Sequence, residues 1–379
     1  MLKNIIFFFK FFIGFMKLLY KIILFFLGSI PLFRCGSGYE KKDGKIMYNG
    51  KEITDKSMVI LNDEFAKDSS AAYYKEHSFQ YADVETFEAV DDHYAKDKNK
   101  VYYCDEYREG QNYYMTKRHT IKELKNALPA SFVTVKYGFG KDKGQVYFQG
   151  DAFKVKDIPS FVSIDNHFAK DDYQAYLNLH PIIGSNGKTF QIIDNNFAKD
   201  IGNIYYYGYT GEGENNICIL PCEKASFQIL DYRYSKDKSK VFFLGFTIKE
   251  ADPASFTILS EGYSKDNSSI FFQHTKVLSA DIATFSVFKE NESFGHDFVY
   301  AMDKKNVFMD DKIVMGADPH TFKVLGENYG SDSQHVFYKT KIVKEANPSS
   351  FNVFGHDVGD ADSEDKNNKY HEGIKVVSE

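Results

Sequence analysis

The sequence predicts an all-β protein built from tandem repeats of about 29 residues. An aromatic residue opens a short turn motif nine times, and the motif contains Lys-Asp in seven of these copies. A second aromatic, after Ser or Thr, follows 22 residues after the first in seven of the nine copies. The first aromatic stands at Phe65, Tyr94, Phe139, Phe168, Phe197, Tyr234, Tyr263, Tyr300 and Tyr329. The aromatic share of 17% suits pleated strands. Because both registers persist along the chain, these copies are repeats of one folding unit.

The N-terminal segment, residues 1–35, is expected to be a hydrophobic helix acting as a signal peptide or membrane anchor. Residues 1–33 are rich in Phe, Ile and Leu, and Lys3, Lys10, Lys17 and Lys21 lie in one stripe on a helix. The longest uncharged run, residues 22–33, is too short as a helix to cross a hydrocarbon core of about 30 Å. A basic stretch before a short apolar run is typical of a secretory signal.

The end of this segment leaves two kinds of membrane attachment open. Residues 32–35, Leu-Phe-Arg-Cys, are similar to a bacterial lipobox in their Leu and Cys, and they depart from it at Arg34, where a small residue belongs. Cys35 is therefore a candidate for lipidation after cleavage. The alternative is an uncleaved signal anchor in which Lys17 and Lys21 extend to the membrane interface.

Each repeat, in residues 36–379, has a local pattern of strand and turn. In residues 94–103 two apolar runs flank a polar turn, where the side chain of Asp97 is expected to accept a backbone N–H two residues on. Runs such as Val-Tyr-Tyr favour strands with both faces covered. Later, Asp252-Pro253 has the pattern of an N-cap and first helical residue, which predicts one helical turn.

One unit therefore reads as two or three short strands and one helical turn, too small to bury its own aromatic residues. Repeats of this kind stack on their neighbours, so we predict an elongated, solenoid-like array. The alternative is a closed, β-propeller-like ring, which ranks second because a 29-residue unit is short beside the roughly 40–50 residues of a four-stranded blade. About nine full units are expected, with half-units at residues 43–48 and 365–370.

The motif in residues 95–103, Ala-Lys-Asp-Lys-Asn-Lys-Val-Tyr-Tyr, and the Ala-Asp-Pro-x-Ser-Phe segments resemble the DKNYY repeat family of bacterial proteins. The resemblance covers most of the chain outside the N-terminal segment. It implies an exported or envelope-associated repeat protein, and it supplies no catalytic residues because the family has no established activity.

Insertions interrupt the 29-residue register at three places. The first adds 16 residues to the second unit, and the second adds 8 to the fifth; both fall between the Val-Tyr-Tyr strand and the Ser/Thr-Phe turn. A third insertion lies between Phe285 and Tyr300. Tyrosine combines apolar area with a hydrogen-bonding tip, so the tyrosines of the first two insertions are the candidate binding residues. They are Tyr107, Tyr113, Tyr114, Tyr207 and Tyr209.

Two motifs look like ligand sites and are interpreted as turns. The run from Gly184 to Thr189 resembles the end of a phosphate-binding loop, but Ile182 stands where that motif needs its first glycine. Each Lys-Asp turn offers one carboxylate beside lysine, whereas calcium takes six or more oxygen ligands. No metal site and no cofactor is therefore expected.

Cysteine and histidine pairs give the remaining candidates. Cys218 and Cys222 are expected to form a local disulfide in an oxidising compartment, with free or intermolecular thiols as the alternative. His296-Asp297 and His356-Asp357 suggest catalytic dyads. No nucleophile motif accompanies either pair, and both lie where the repeat needs a turn, so a structural role is favoured.

Charge and repeat architecture together limit the function. The whole chain carries −6 and residues 1–35 carry +5, so residues 36–379 carry −11, which makes nucleic acid an unlikely partner. We expect an exported, membrane-anchored protein of the cell envelope or outer surface. Its expected function is non-catalytic, the recognition of a protein, glycan or envelope component, or an envelope scaffold. The alternative is an envelope hydrolase with carboxylates on the side of the inserted loops.

Overall fold

The structure, a computed structural model, describes residues 38–376 except 55–56, 80, 109–116, 210–214, 261, 290–298 and 359–360. The described chain consists of short antiparallel strands, turns and three 3₁₀ turns at Pro129–Ser131, Gly187–Thr189 and Lys224–Ser226. It divides into two compact units, residues 1–173 and 174–379. The predicted N-terminal helix and Cys35 lie outside the described residues.

The first unit begins with a three-stranded sheet, continues with three four-stranded sheets and ends on one hairpin. Its strands are β1 (Tyr39–Lys42), β2 (Lys45–Tyr48), β3 (Lys51–Ile53), β4 (Val59–Ile60), β5 (Phe65–Lys67), β6 (Ala72–Tyr74), β7 (His77–Phe79), β8 (Glu88–Ala89), β9 (Tyr94–Lys96), β10 (Val101–Tyr107), β11 (Arg118–Glu123), β12 (Val133–Val135), β13 (Phe139–Lys141), β14 (Val146–Phe148), β15 (Asp151–Phe153), β16 (Val162–Ser163) and β17 (Phe168–Lys170).

The second unit begins with one hairpin and continues with six four-stranded sheets. Its first strands are β18 (Ala175–Leu177), β19 (His180–Pro181), β20 (Gln191–Ile192), β21 (Phe197–Lys199), β22 (Ile204–Tyr209), β23 (Asn215–Ile219), β24 (Gln228–Ile229), β25 (Tyr234–Lys236), β26 (Val241–Phe243), β27 (Phe246–Ile248), β28 (Thr257–Ser260), β29 (Tyr263–Lys265), β30 (Ile270–Phe272) and β31 (Thr275–Val277). Those that follow are β32 (Ser286–Val287), β33 (Tyr300–Met302), β34 (Val307–Met309), β35 (Lys312–Ile313), β36 (Lys323–Gly326), β37 (Tyr329–Ser331), β38 (Val336–Tyr338), β39 (Lys341–Ile342), β40 (Asn352–Val358), β41 (Ala361–Glu364), β42 (Lys369–His371) and β43 (Ile374–Lys375).

Each regular repeat folds into one antiparallel sheet whose four strands are neighbours in chain order, such as β24-β25-β26-β27. The prediction of two or three strands per unit was therefore wrong. The missed strand is the fourth, for example β27, which holds only three residues and follows a two-residue turn at Leu244 and Gly245, both with positive φ. Strands this short let 29 residues hold four of them. The predicted half-unit at residues 365–370 belongs to a full four-stranded sheet, β40 to β43.

The core is a series of aromatic clusters, each shared by neighbouring repeats. Tyr94 and Tyr103 pack with Tyr147 of the next repeat, and Tyr300 packs with Phe337 of the repeat after it. The approach is close, since a Cβ built on Gly150 would lie 2.7 Å from the Tyr103 Cβ. Within each unit, the repeats thus stack on one another in chain order. The predicted all-β tandem-repeat fold is confirmed.

Candidate functional site

The repeated Lys-Asp motif forms a buried hydrogen-bonded latch, which in the second repeat is built on Asp97. The Asp97 side chain is 3% exposed. Its Oδ1 accepts the backbone N–H groups of Asn99 and Lys100 at 2.7 and 2.8 Å, the Asx turn that the sequence predicted. Its Oδ2 accepts the N–H of Asp83 at 2.9 Å and the Tyr102 hydroxyl at 2.7 Å. The second oxygen therefore ties the turn to a residue 14 positions earlier, at the start of the helical turn.

The same carboxylate is buried in every repeat that the structure describes. The latch residues are Asp68, Asp97, Asp142, Asp171, Asp200, Asp237, Asp266, Asp303, Asp332 and Asp365. Burial alone would raise the pKa of Asp97, but the hydrogen bonds from Asp83, Tyr102, Asn99 and Lys100 outweigh it and lower that pKa. For Asp68 the balance lowers the pKa to about 2. These carboxylates are satisfied inside the fold.

In seven of the ten latches a lysine precedes the carboxylate, and this lysine can bind the carbonyl groups of the helical turn. Lys67 Nζ donates to the carbonyl oxygens of Val84 and Phe87, both at 2.9 Å. Lys141 Nζ makes the equivalent bonds to the carbonyl oxygens of Ile158 at 3.1 Å and Phe161 at 2.9 Å. In these repeats the Asp carboxylate accepts an N–H group at the start of the helical turn, and the Lys ammonium donates to carbonyl groups of the same turn. Both ends of the turn are therefore hydrogen-bonded to the Lys-Asp dipeptide.

The latch geometry supports a structural role for the motif over ion binding. The oxygens that calcium would need are occupied by N–H and O–H donors, and a metal ion cannot replace those donors without breaking the turn. Among the described residues, no group of three or more His, Cys, Asp or Glu side chains is placed to hold a metal ion.

Tyrosine hydroxyls join neighbouring repeats. Tyr94 donates to the carbonyl oxygen of Gly138 at 2.9 Å, and Tyr234 donates to that of Gly262 at 2.8 Å. Tyr263 donates to the carbonyl oxygen of Asp310 at 2.6 Å. Each acceptor lies in the next repeat. Where phenylalanine opens the motif, as at Phe197, the ring packs in the same way without this hydrogen bond.

The first two insertions extend the third and fourth strands of their sheets as projecting hairpins. In β10 and β11 the pairing runs from Tyr102↔Glu123 to Tyr107↔Arg118. A regular repeat pairs these strands over three positions, as between β26 and β27. The β22–β23 hairpin likewise extends to Tyr209↔Asn215. Both therefore leave the repeat at the same point of its sequence, as predicted.

The candidate tyrosines differ in what the structure describes of them. Tyr107, near the end of the paired part of its hairpin, is 40% exposed. The Tyr207 hydroxyl donates to the backbone oxygen of Asp194, so this residue is partly committed to its own sheet. Tyr209 ends strand β22, and Tyr113 and Tyr114 lie outside the described residues. Their role in binding stays a prediction.

Cys218 and Cys222 are both free thiols, so the predicted disulfide is absent from this structure. The two side chains have different neighbours. The Cys218 sulfur lies 2.8 Å from a Cβ built on Gly245, whereas Cys222 packs beside Phe197 and Leu220. A disulfide needs Cα atoms about 4.4–6.8 Å apart with converging side chains, and strand β23 carries Cys218 along an extended path before Cys222.

The other motifs fall on elements of the repeat. Residues 187–189 form a 3₁₀ turn, and Asn186 caps it by accepting the Thr189 N–H, so the phosphate-loop resemblance corresponds to the repeat's own turn. His356 and Asp357 lie in strand β40, where the sequence favoured a turn. His296 and Asp297 lie outside the described residues.

Two unusual side-chain environments could not be predicted from the sequence. The rings of His77 and His119 stack with centroids 3.3 Å apart, which joins β7 to the first inserted hairpin. Asp310 is half-buried, and burial, opposed by a hydrogen bond from the Val299 N–H, raises its pKa to about 6. Asp310 also has a positive φ of 55°. Only the three-dimensional packing of neighbouring repeats creates these environments.

We expect Asp310→Asn to raise the free energy of unfolding at pH 7.5 by about 1 kcal/mol, after discounting for solvent screening. Asn tolerates positive φ and can accept the Val299 N–H, as Asn49 accepts the Gly38 N–H at 2.9 Å in the first sheet. Chemical denaturation of both proteins across pH 3 to 8 is the measurement.

The sign of this effect follows from the raised pKa of Asp310. The contribution of Asp310 to stability is greatest below the unfolded pKa, about 3.9. That contribution is lost as the pH rises towards the folded pKa near 6. The gain from Asp310→Asn should therefore vanish below about pH 4. Asp172→Asn, at an exposed position, is the control and should have little effect at any pH. A gain that does not depend on pH would contradict this explanation.

The fold and the latch define a class of protein, a tandem β-repeat protein in which a buried aspartate holds each repeat together. Comparison with known protein families identifies the family to which the chain belongs. The DKNYY family model matches residues 3–106, 107–246 and 234–374, and the chain belongs to this family. No curated protein and no solved structure matches the chain. No helix among the described residues is long and apolar enough to cross a membrane.

Proposed function

We propose that this protein is an exported, membrane-associated repeat protein that recognises a partner through its inserted hairpins. The observation that carries the proposal is the contrast between the regular repeats and the insertions. In the regular repeats, the charged side chains of the motif already make the hydrogen bonds of the latch. The β10–β11 hairpin instead projects beyond the sheet and ends near the exposed Tyr107. Loops on a rigid scaffold are where binding residues concentrate.

The class of partner follows from charge and composition. Residues 36–379 carry −11, since residues 1–35 carry +5 of the total −6, so a phosphate backbone is disfavoured. Tyrosine-rich loops suit proteins and glycans, because tyrosine offers a flat apolar ring and a hydroxyl together. The partner is therefore a protein, glycan or envelope component. Residues 1–35 would hold the repeats at the membrane, with or without lipidation of Cys35.

The test is a variant in which Asn-Gly replaces residues 106–119 and joins Asp105 to Thr120, which are cross-strand partners. A two-residue Asn-Gly turn closes such a hairpin without strain. The variant keeps the buried Cys104, which packs in the core of the first two repeats. We expect the variant to fold, with thermal unfolding lowered only slightly by the loss of the His119 ring that stacks on His77, and to lose the partner that the intact chain captures from envelope extracts.

Tyr173→Ala is the matched control for this experiment. Tyr173 is 66% exposed but lies in a regular Lys-Asp turn, so partner capture should persist. Capture that survives in the shortened variant would contradict the proposed role of the hairpin. Export and attachment are tested separately by mass spectrometry of the mature N-terminus. Retention of residues 1–34 with an unmodified Cys35 would exclude lipidation and favour the signal anchor.

A further inference from the structure

The second unit carries a row of exposed apolar side chains along the outer edges of its sheets, which we name the edge row. One member comes from each sheet, in or just after the fourth strand. The members are Ile183, Ile219, Phe246, Leu278, Met315, Ile342 and Ile374. The fourth strand is an edge strand in every one of these sheets. Exposed apolar residues on unpaired edges favour contact with another chain.

Neighbouring members of the edge row are close to one another. A Cβ built on Gly184, beside Ile183, would lie 3.4 Å from Ile219 Cδ1. A Cβ on Gly316, beside Met315, would lie 3.8 Å from Ile342 Cδ1. Ion pairs also join successive edges, such as Lys375 to Glu345 at 2.6 Å. Apolar members of successive sheets therefore lie near one another at two places in the row.

At its C-terminal end the edge row deepens into a groove of about 670 Å³ between β39 and β43. The apolar contribution comes from Tyr338, Ile342 and Ile374, and Ile374 is 74% exposed. A volume of this size is in the range of ligand-binding clefts. The groove lies entirely within the second unit.

The groove is basic, although the protein is acidic. Its lining contains Lys339, Lys341, Lys344 and Lys375 against Glu345 and Glu372. Glu345 is already paired with Lys375, while Lys341 and Lys344 have no ion-pair partner among the described residues. A second copy placed groove to groove would bring lysines against lysines. The charge therefore favours an acidic partner and disfavours a symmetric pair of this chain.

We propose that this groove and the adjoining edge row bind an extended acidic peptide with an apolar residue at every third position. Face-packed sheets are spaced by about 10 Å, so the edge row offers one apolar contact at about that interval. A polyproline II segment places every third residue on the same face at about 9.3 Å. Acidic residues between the apolar ones would face the lysines at the rim. The groove lies outside the inserted hairpins, and Ile219, in β23, is the one member of the edge row that belongs to such a hairpin, so the proposal does not depend on the proposed function.

The probe is a fluorescein-labelled peptide, (Ile-Glu-Pro)4, titrated with the full-length protein in a fluorescence anisotropy assay. We expect saturable binding that weakens with salt. Lys341→Glu combined with Lys344→Glu should weaken it about tenfold or more. The matched control, Lys136→Glu combined with Lys143→Glu, makes the same change of net charge at exposed lysines of the first unit and should leave affinity unchanged.

Further probes separate the contributions. The peptide (Ser-Glu-Pro)4, without apolar residues, and (Ile-Lys-Pro)4, with reversed charge, should both bind at least about tenfold more weakly. Equal affinity for all three peptides, or an equal loss in both double variants, would overturn the proposal. So would binding to vesicles of equal parts phosphatidylcholine and phosphatidylglycerol, abolished by the groove variant, in a protein that does not bind (Ile-Glu-Pro)4. That result would assign the groove to a lipid surface.

Discussion

Replacing Asp97 with alanine is expected to lower the free energy of unfolding by about 4 kcal/mol. The change removes the acceptor of three backbone N–H groups and the Tyr102 hydroxyl at a site that is 3% exposed. Each buried donor left without a partner costs about 1–3 kcal/mol, and water entering the space restores part of this. Urea unfolding of the intact repeat region is the measurement.

Two variants make the Asp97 experiment specific. Asp92→Ala removes a carboxylate at an exposed position two residues before Tyr94 and should change stability by less than about 0.5 kcal/mol. Asp97→Asn keeps one oxygen for the Asn99 and Lys100 N–H groups and should fall between the two. If Asp97→Ala were as mild as Asp92→Ala, the latch would not stabilise the repeat.

The latch also predicts how stability depends on pH. The pKa of Asp97 is lowered in the folded state, because its hydrogen bonds outweigh the opposing effect of burial. Its contribution is therefore complete above the unfolded pKa, about 3.9, and is lost as the pH falls through the lower folded value. The difference between the intact protein and Asp97→Ala should accordingly shrink below pH 4.

Phe87→Ala is expected to cost about 3–5 kcal/mol, the range for removing a large buried aromatic side chain. Phe87 packs against Phe79, with ring centroids 5.0 Å apart, and against Tyr102 of the following sheet at 6.1 Å. The cavity would therefore open between two repeats and weaken both. Thermal unfolding followed by circular dichroism is the measurement. Glu88→Ala, the exposed neighbour in β8, should have little effect. A loss below about 1 kcal/mol would mean that adjacent repeats do not depend on each other.

Much of the architecture could be predicted from the sequence, because residues that pack in the same way in every repeat recur at a fixed spacing. The β-repeat and its Asx turn follow from spacing and residue type. The bond from Asp97 Oδ2 to Asp83 could not be predicted, since it joins residues 14 positions apart and depends on how the helical turn folds back. The fourth strand was missed because two or three mostly polar residues, as in β39, have no strand pattern of their own.

The candidate site was predictable to a lesser degree. The inserted residues that interrupt the 29-residue spacing predicted where the hairpins lie in the chain. The structure places Tyr107 on one of these hairpins. The free state of Cys218 and the environment of Asp310 depend on neighbouring repeats, which residue spacing does not describe. The edge row could not be predicted, because its members, such as Ile342 and Ile374, look like ordinary strand residues in the sequence.

The hydroxyl groups that join neighbouring repeats have a mechanical consequence. From Tyr234 to Tyr329 every opening residue is a tyrosine bonded to the next repeat, whereas Phe197 has no such bond. The contacts between successive repeats of the second unit should therefore differ in their resistance to a pulling force. The repeat of Phe197 should unfold first, at low force. The repeats from Tyr234 to Tyr329, which are joined by tyrosine hydrogen bonds, should then unfold together at a higher force. That order would place the first repeat to unfold near the N-terminal end of this unit.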